Sequence, residues 1–159
     1  MRLFVSFFYR WFDRTLSARV NLGRWRQEAS ARGEWNQFIG DRGEDLARRF
    51  LWTRGLKVLY CRYRPKGGGE IDIVARDGEV LVFCEVKTRT SREFGDASAA
   101  VDSEKQRLIA RGAQSWIREL GFQPLIFRFD IIEVYLIDNE PPEVRHIQNA
   151  FQAAPRLLA

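Results

Sequence analysis

Two strand-forming runs joined by Asp77-Gly78 constrain this chain more than any other feature. An Asp-Gly pair between apolar runs is a strong hairpin signal, because Gly accepts the positive φ that tight hairpin turns need. The first run, Glu70 to Arg76, alternates: Ile71 and Ile73 fall on one face, Glu70, Asp72 and Val74 on the other. The second runs from Val80 to Lys87. Its period of two sets Glu85 and Lys87 on one face and Val86 on the opposite one. Both residues sit among strongly apolar neighbours. Burying an acid and a lysine there is costly unless they are paired or used.

The rest of the chain supplies what such a hairpin needs to be covered. Gly33 to Asp41 reads as a linker into a helix that begins at Arg42, carries Leu46, Ala47, Phe50 and Leu51 at helical spacing, and stops at Gly55. Leu56 to Tyr63 is a first strand, followed by a loop over Arg64 to Gly69 and, later, a polar loop from Thr88 to Gly95. Ala97 to Leu120 is mainly helical. Asp102 or Ser103 caps its main part, Leu108, Ile109, Ala113, Trp116, Ile117 and Leu120 form its apolar stripe, and Gly121 ends it. Leu125 to Ile137 is the longest strand, and Glu143 to Ile147 a short edge strand after Pro141-Pro142. This order predicts an α/β fold, a mixed β-sheet flanked by helices.

With 159 residues the chain has room for one domain and an extension. No apolar run approaches the ~18 residues of a membrane span. Arg10, Asp13 and Arg14 interrupt the aromatic Phe4–Phe12 run, which argues against a secretory signal. Cys61 and Cys84 read as two small buried thiols of a cytoplasmic protein. The net charge of +5 lies wholly in the first 32 residues, where seven arginines face Asp13 and Glu28; residues 33–159 carry 19 basic and 19 acidic residues. Residues 1–37 thus form a basic aromatic arm ahead of a domain over 38–151 and a tail over 152–159. Apolar residues at 4, 7, 8, 11 and 12 keep helical spacing. Three roles fit the arm: a helix on a membrane surface or protein partner, a helix packed on the body, or an arm that adds phosphate contacts.

Two carboxylates on neighbouring strands, Asp72 and Glu85, make a hard oxygen site suited to Mg²⁺ or Mn²⁺, with the Val86 carbonyl as a third oxygen. Lys87 beside them can position water and stabilise charge on a phosphate. Glu44, early in the first helix of the body, is a further acid. His146 is the only histidine, so histidine-based metal or triad chemistry has little to draw on. Gly67 to Gly69 lacks the Lys-Ser/Thr of a P-loop and precedes a strand. Trp35, Trp52 and Trp116 read as core or interface anchors rather than base-stacking platforms, and Asp130 as a structural acid paired with Arg62 or Arg64.

Asp72 followed by Glu85-Val86-Lys87 resembles the PD-(D/E)XK nuclease superfamily. Gly43-Glu44-Asp45-Leu46-Ala47, Gly69 to Ala75, Phe83 to Arg89, Phe94-Gly95 and Arg128-Phe129-Asp130 together resemble the bacterial YraN family, endonuclease-like proteins related to Holliday-junction resolvases. Cys61 departs from an Asn usual in that family, and Cys84 from a Val. The resemblance covers about residues 38–151. It implies a restriction-endonuclease-like αβββαβ core, to which the arm, outside the resemblance, adds an N-terminal helical extension. It implies that Asp72 and Glu85 hold Mg²⁺ or Mn²⁺, that Lys87 is the catalytic lysine, and that Glu44 is the helix acid of resolvase-like members. Arg64, Lys66, Arg89 and Lys105 are then phosphate contacts. The expected activity is metal-dependent hydrolysis of DNA, branched or flapped by analogy, with RNA as the other substrate and a homodimer as a plausible assembly. The alternatives are a non-catalytic nucleic-acid-binding protein of the same fold, or an interaction protein anchored by its arm.

Overall fold

The computed structural model describes residues 18–30, 35–92, 102–121 and 125–152. The aromatic part of the arm (residues 1–17), Phe94-Gly95 and residues 153–159 lie outside them. In chain order the elements are α1 (Leu22–Ser30), α2 (Trp35–Thr53), β1 (Lys57–Tyr63), β2 (Ile71–Asp77) and β3 (Val80–Arg89), then α3 (Ser103–Glu119), β4 (Ile126–Tyr135) and β5 (Glu143–Phe151). The five strands lie in one sheet in the order β1-β2-β3-β4-β5. All neighbours are antiparallel except β3 and β4, which run parallel. A parallel pair needs a long crossover, and α3 lies within it. The fold is α/β, an open mixed sheet flanked by helices and compatible with the restriction-endonuclease-like class.

The sheet separates two apolar clusters. On one face Leu46, Ala47 and Leu51 of α2 meet Ile73, Ala75, Val82, Cys84, Ile132 and Val134. On the other, Ile109, Ala110 and Ala113 of α3 meet Val74, Phe83, Phe129 and Ile131. Ile71 belongs with Val74 and not with Ile73, contrary to strict alternation. The β2–β3 ladder begins only at Ile73, so ahead of it β2 is paired on one side alone, with Tyr63 of β1 opposite Ile71.

Several boundaries differ from the sequence expectation. α2 begins at Trp35, so Trp35 to Asp41 is helix and not linker, and a boundary at residue 38 falls inside it. Asn36, Gln37 and Asp41 hide the apolar stripe that Ile39 starts. The stripe continues through Gly43, whose missing side chain lets α2 approach β3: a Cβ there would lie 1.8 Å from Thr88 Oγ1. The end of the arm also joins the body. Val20 exchanges backbone hydrogen bonds with Asn139 and Glu140 at 2.8 Å, and Trp25 packs its ring edge against Phe38. Asp102 caps α3 by accepting the Lys105 amide hydrogen at 2.8 Å. β5 runs on to Phe151, past the expected Ile147, because the Phe151 ring stacks on Phe129 at 4.9 Å. Cys84 is buried as expected, but Cys61 is exposed on the outer strand. No helix among the described residues is long and apolar enough to cross a membrane.

Candidate active site

The β2–β3 ladder stops at the Ile73–Cys84 pair. One residue further on, the Asp72 side chain replaces the backbone: its Oδ2 accepts the Val86 N–H at 2.7 Å. Asp72 and Glu85 are buried at this point, 8% and 2% exposed. Burial pushes the Asp72 carboxyl up to about 7, and the negative charge of Glu85 adds to the shift. The Val86 amide and Lys105 oppose it, while Glu44 reinforces it.

Each oxygen of Glu85 faces a lysine. Lys87 Nζ lies 2.9 Å from Oε1, and Lys105 Nζ, from the first turn of α3, lies 3.2 Å from Oε2. Oε2 is nevertheless buried with no hydrogen bond. Burial alone would lower the Lys105 ammonium pKa, but the charges of Glu85 and Asp72 outweigh it and hold the pKa above its ordinary value.

The other expected residues are arranged as follows. Glu44 Oε2 accepts from Arg62 Nε at 2.7 Å, and Asp41 shares the same guanidinium. Arg62 takes a left-handed backbone, φ 55°, at the end of β1. Arg64 is exposed and bonded to Glu70 at 2.6 Å. Lys66 is exposed in the loop between β1 and β2. The Arg89 side chain is 14% exposed and its Nε lies 3.2 Å from Glu133 Oε1. Asp130 does not pair with Arg62 or Arg64. It is buried between Arg128 Nε (3.0 Å) and His146 Nε2 (2.8 Å), on the α2 face of the sheet.

Glu133 was missed from sequence. It is buried, lies beside Lys87 in the β3–β4 register, and accepts from Tyr135 Oη at 3.0 Å. An acid flanked by Ile131, Ile132 and Val134 in a strand is the same signal that singled out Glu85. The placement of Lys105 against Glu85 was not visible either, since it depends on how α3 docks across the sheet.

The donor set fits a hard divalent cation. Mg²⁺ is commonly held by one or two carboxylates, keeping water on its other positions. Among the described residues no group of three or more His, Cys, Asp and Glu is arranged for a metal, so this centre offers two carboxylates. Glu85 Oε2 is buried with only the Lys105 ammonium beside it, at 3.2 Å and outside hydrogen-bond geometry, which leaves it the oxygen most open to such a partner.

A family model described as "Uncharacterised protein family UPF0102" matches residues 43–134, which include Glu44, Asp72, Glu85, Lys87, Lys105 and Glu133. UPF0102 proteins of Geobacter sulfurreducens and Geobacter metallireducens are 41% and 43% identical over 119 residues, 75% of this chain and 92% and 96% of the relatives. A UPF0102 protein of Symbiobacterium thermophilum is 43% identical over 115 residues, 72% of this chain and 97% of the relative. The chain belongs to the UPF0102 family, which is the YraN family.

Proposed function

We propose that this member of the UPF0102 family is a divalent-metal-dependent nuclease that hydrolyses phosphodiester bonds in DNA. One observation carries the reading. Two carboxylates are buried side by side where β2 leaves β3, with two lysines on Glu85 and an oxygen of Glu85 that makes no hydrogen bond.

Asp72 and Glu85 would hold Mg²⁺ or Mn²⁺, with the Val86 carbonyl as the nearby backbone oxygen. A cation held there supplies Lewis acidity toward a phosphate oxygen and water. The Val86 amide fixes the Asp72 carboxylate, so no reorientation is needed when substrate arrives. Lys87, held at 2.9 Å from Glu85, is placed to donate to a phosphate oxygen or to orient the attacking water. Lys105 offers a second ammonium to the same centre. Glu44 stands behind Asp72, tied to Arg62. Exposed Arg64 and Lys66 are the phosphate contacts at the rim.

The test is cleavage of branched, flapped and linear DNA, with RNA in parallel, in Mg²⁺ and in Mn²⁺. Metal-dependent products that Asp72→Asn and Glu85→Gln both abolish support the reading; products unchanged by either variant overturn it. A non-catalytic nucleic-acid-binding protein is the second reading. It is favoured by the engagement of both Glu85 oxygens by lysines, and it gives salt-sensitive binding with no products in any divalent metal. The RNA arm of the assay tests the DNA substrate; a cytoplasmic location and a homodimeric state belong to the first proposal as well.

A further inference from the structure

We propose that the groove between α2 and the outer edge of β1 binds a single strand of nucleic acid, with a base against Trp52 and phosphates on Arg48, Arg49 and Lys57. The inference rests on the nucleic-acid half of the nuclease reading and is independent of hydrolysis.

The groove has a volume of about 670 Å³ and is lined by side chains of one sign only: Arg48 and Arg49 of α2 and Lys57 of β1, with no acid among its lining residues. Asp45 takes both arginines, at 2.6 and 2.7 Å, so the neighbourhood keeps a surplus of positive charge. Trp52, expected as an anchor of the core or an interface, is 58% exposed on the groove wall and so is not a core residue. Leu59, also exposed, sits where a register shift between Val58 and Tyr60 lifts it out of the β1–β2 ladder. Cations flanking an exposed aromatic face are what a single strand requires: phosphates take the cations, and any base stacks on the ring.

The position along the strand supports the same occupant. β1 is the outermost strand of the sheet, so its far side is open. Cys61, at one end of the groove, pairs with Ile73, the residue next to Asp72. Asp72 and Glu85 face α3 while the groove faces α2, so a strand passing from one to the other rounds the open edge of β1. A second copy of this chain is disfavoured, because a two-fold contact here would bring Arg48, Arg49 and Lys57 against themselves. A polyanion meets no such cost.

The experiment measures fluorescence anisotropy of labelled oligothymidylate and oligouridylate, each about 20 nucleotides long. It uses the full chain in EDTA, with heparin as a polyanion without bases and light scattering to report mass. Trp52→Ala is expected to weaken binding of either oligonucleotide about 10-fold while leaving heparin binding unchanged, with Trp52→Phe restoring most of it. Lys57→Ala is expected to lower the slope of log affinity against log salt by about 1. Wild-type affinity in both Trp52→Ala and Lys57→Ala overturns the proposal. So does an equal loss of heparin binding in Trp52→Ala. A dimer that Trp52→Ala dissolves with no change in oligonucleotide affinity also overturns it, in favour of a second copy. The two readings fail separately. A Trp52-dependent affinity without cleavage in any metal leaves the groove and removes the nuclease. Cleavage with Trp52-independent affinity does the reverse.

Discussion

Asp72 Oδ2 holds the Val86 amide hydrogen at 2.7 Å, one residue beyond the last rung of the β2–β3 ladder. A side chain thus does the work of a backbone carbonyl at the place where the two strands part. This relationship explains why the carboxylate is buried in an ordered position. It also creates a liability, because the carboxylate is held beside Glu85.

Asp72→Asn is expected to abolish cleavage and to stabilise the fold at alkaline pH. The carboxyl titrates at about 7 in the folded chain against an ordinary 3.8, so the native state holds a proton that the unfolded chain has released. Stability contributed by the protonated form is complete below about 3.8 and is lost as pH rises through about 7. Above that value the wild type carries a cost of up to about 4 kcal/mol that the amide removes. Urea unfolding in EDTA should show the variant more stable at pH 8 and equal to wild type near pH 4. Equal stability at both would mean that the Asp72 charge is compensated in the native state.

Lys87 and Lys105 are expected to differ in what they change. Lys87→Ala should lower the cleavage rate by about 10²- to 10⁴-fold with little change in affinity, the signature of a group acting in the transition state. Both lysines sit on Glu85, Lys87 on Oε1 and Lys105 on Oε2, so either alanine variant should also destabilise the fold by leaving a buried oxygen without its cation, while Lys105→Ala should lower the rate less. Single-turnover rates, affinities and urea midpoints on the two variants separate these effects. A Lys87→Ala rate near wild type would remove it from the chemistry.

The central acids and Lys87 were legible because they depend only on local rules. A hairpin turn sets two strands side by side, and a period of two sorts their faces. Lys105 meets Glu85 through the docking of α3, and Arg89 meets Glu133 across the parallel β3–β4 pairing; no local pattern encodes either contact. Arg89 therefore read as a surface cation, although it is bonded within the sheet to an acid 44 residues away. The start of α2 was obscured by polar residues on its solvent side. The expected partner of Asp130 was wrong for a related reason: three of its contacts come from Arg128, His146 and the Asn149 amide, and the latter two lie on β5. They depend on the bulge between Phe129 and Ile131.

That Asp130 cluster gives an acid-stability prediction. Burial works to raise the Asp130 carboxyl, but His146, the Asn149 amide and Arg128 outweigh it and hold it below its ordinary 3.8. A depressed carboxylate contributes stability that is complete above 3.8 and is lost as pH falls through the lower folded value. Asp130→Asn removes the buried partner of Arg128, which keeps only the half-exposed Asp77 at 3.0 Å, and should cost up to about 3–5 kcal/mol at pH 7. The gap from wild type should hold down to about pH 3.8 and close only below it. Urea midpoints across that range test it; a gap that closes between pH 7 and 5 would assign the effect to another group.

Two glycines of similar chemistry are expected to respond in opposite directions. Gly69 enters β2 at φ 100°, and a Cβ there would fall 2.5 Å from the Gly112 nitrogen and 2.7 Å from the Leu108 oxygen, both backbone atoms of α3. Neither can move without shifting the helix that carries Lys105. Overpacking costs about 1–3 kcal/mol, and the left-handed conformation adds about 1–2 for an L-residue. Gly69→Ala should therefore lose several kcal/mol of stability. It should also lower activity beyond the loss of folded protein, because it pushes Lys105 from Glu85. Gly40, inside α2, has open space where an added Cβ would sit, with nothing within 4 Å. Gly40→Ala removes backbone entropy from the unfolded chain and should gain about 0.5–1 kcal/mol with activity unchanged. Thermal or urea midpoints on both variants, with cleavage rates per folded molecule, check the pair. If Gly69→Ala behaved like Gly40→Ala, the loop before β2 would not be seated on α3, and the position of Lys105 would have to be set by other contacts.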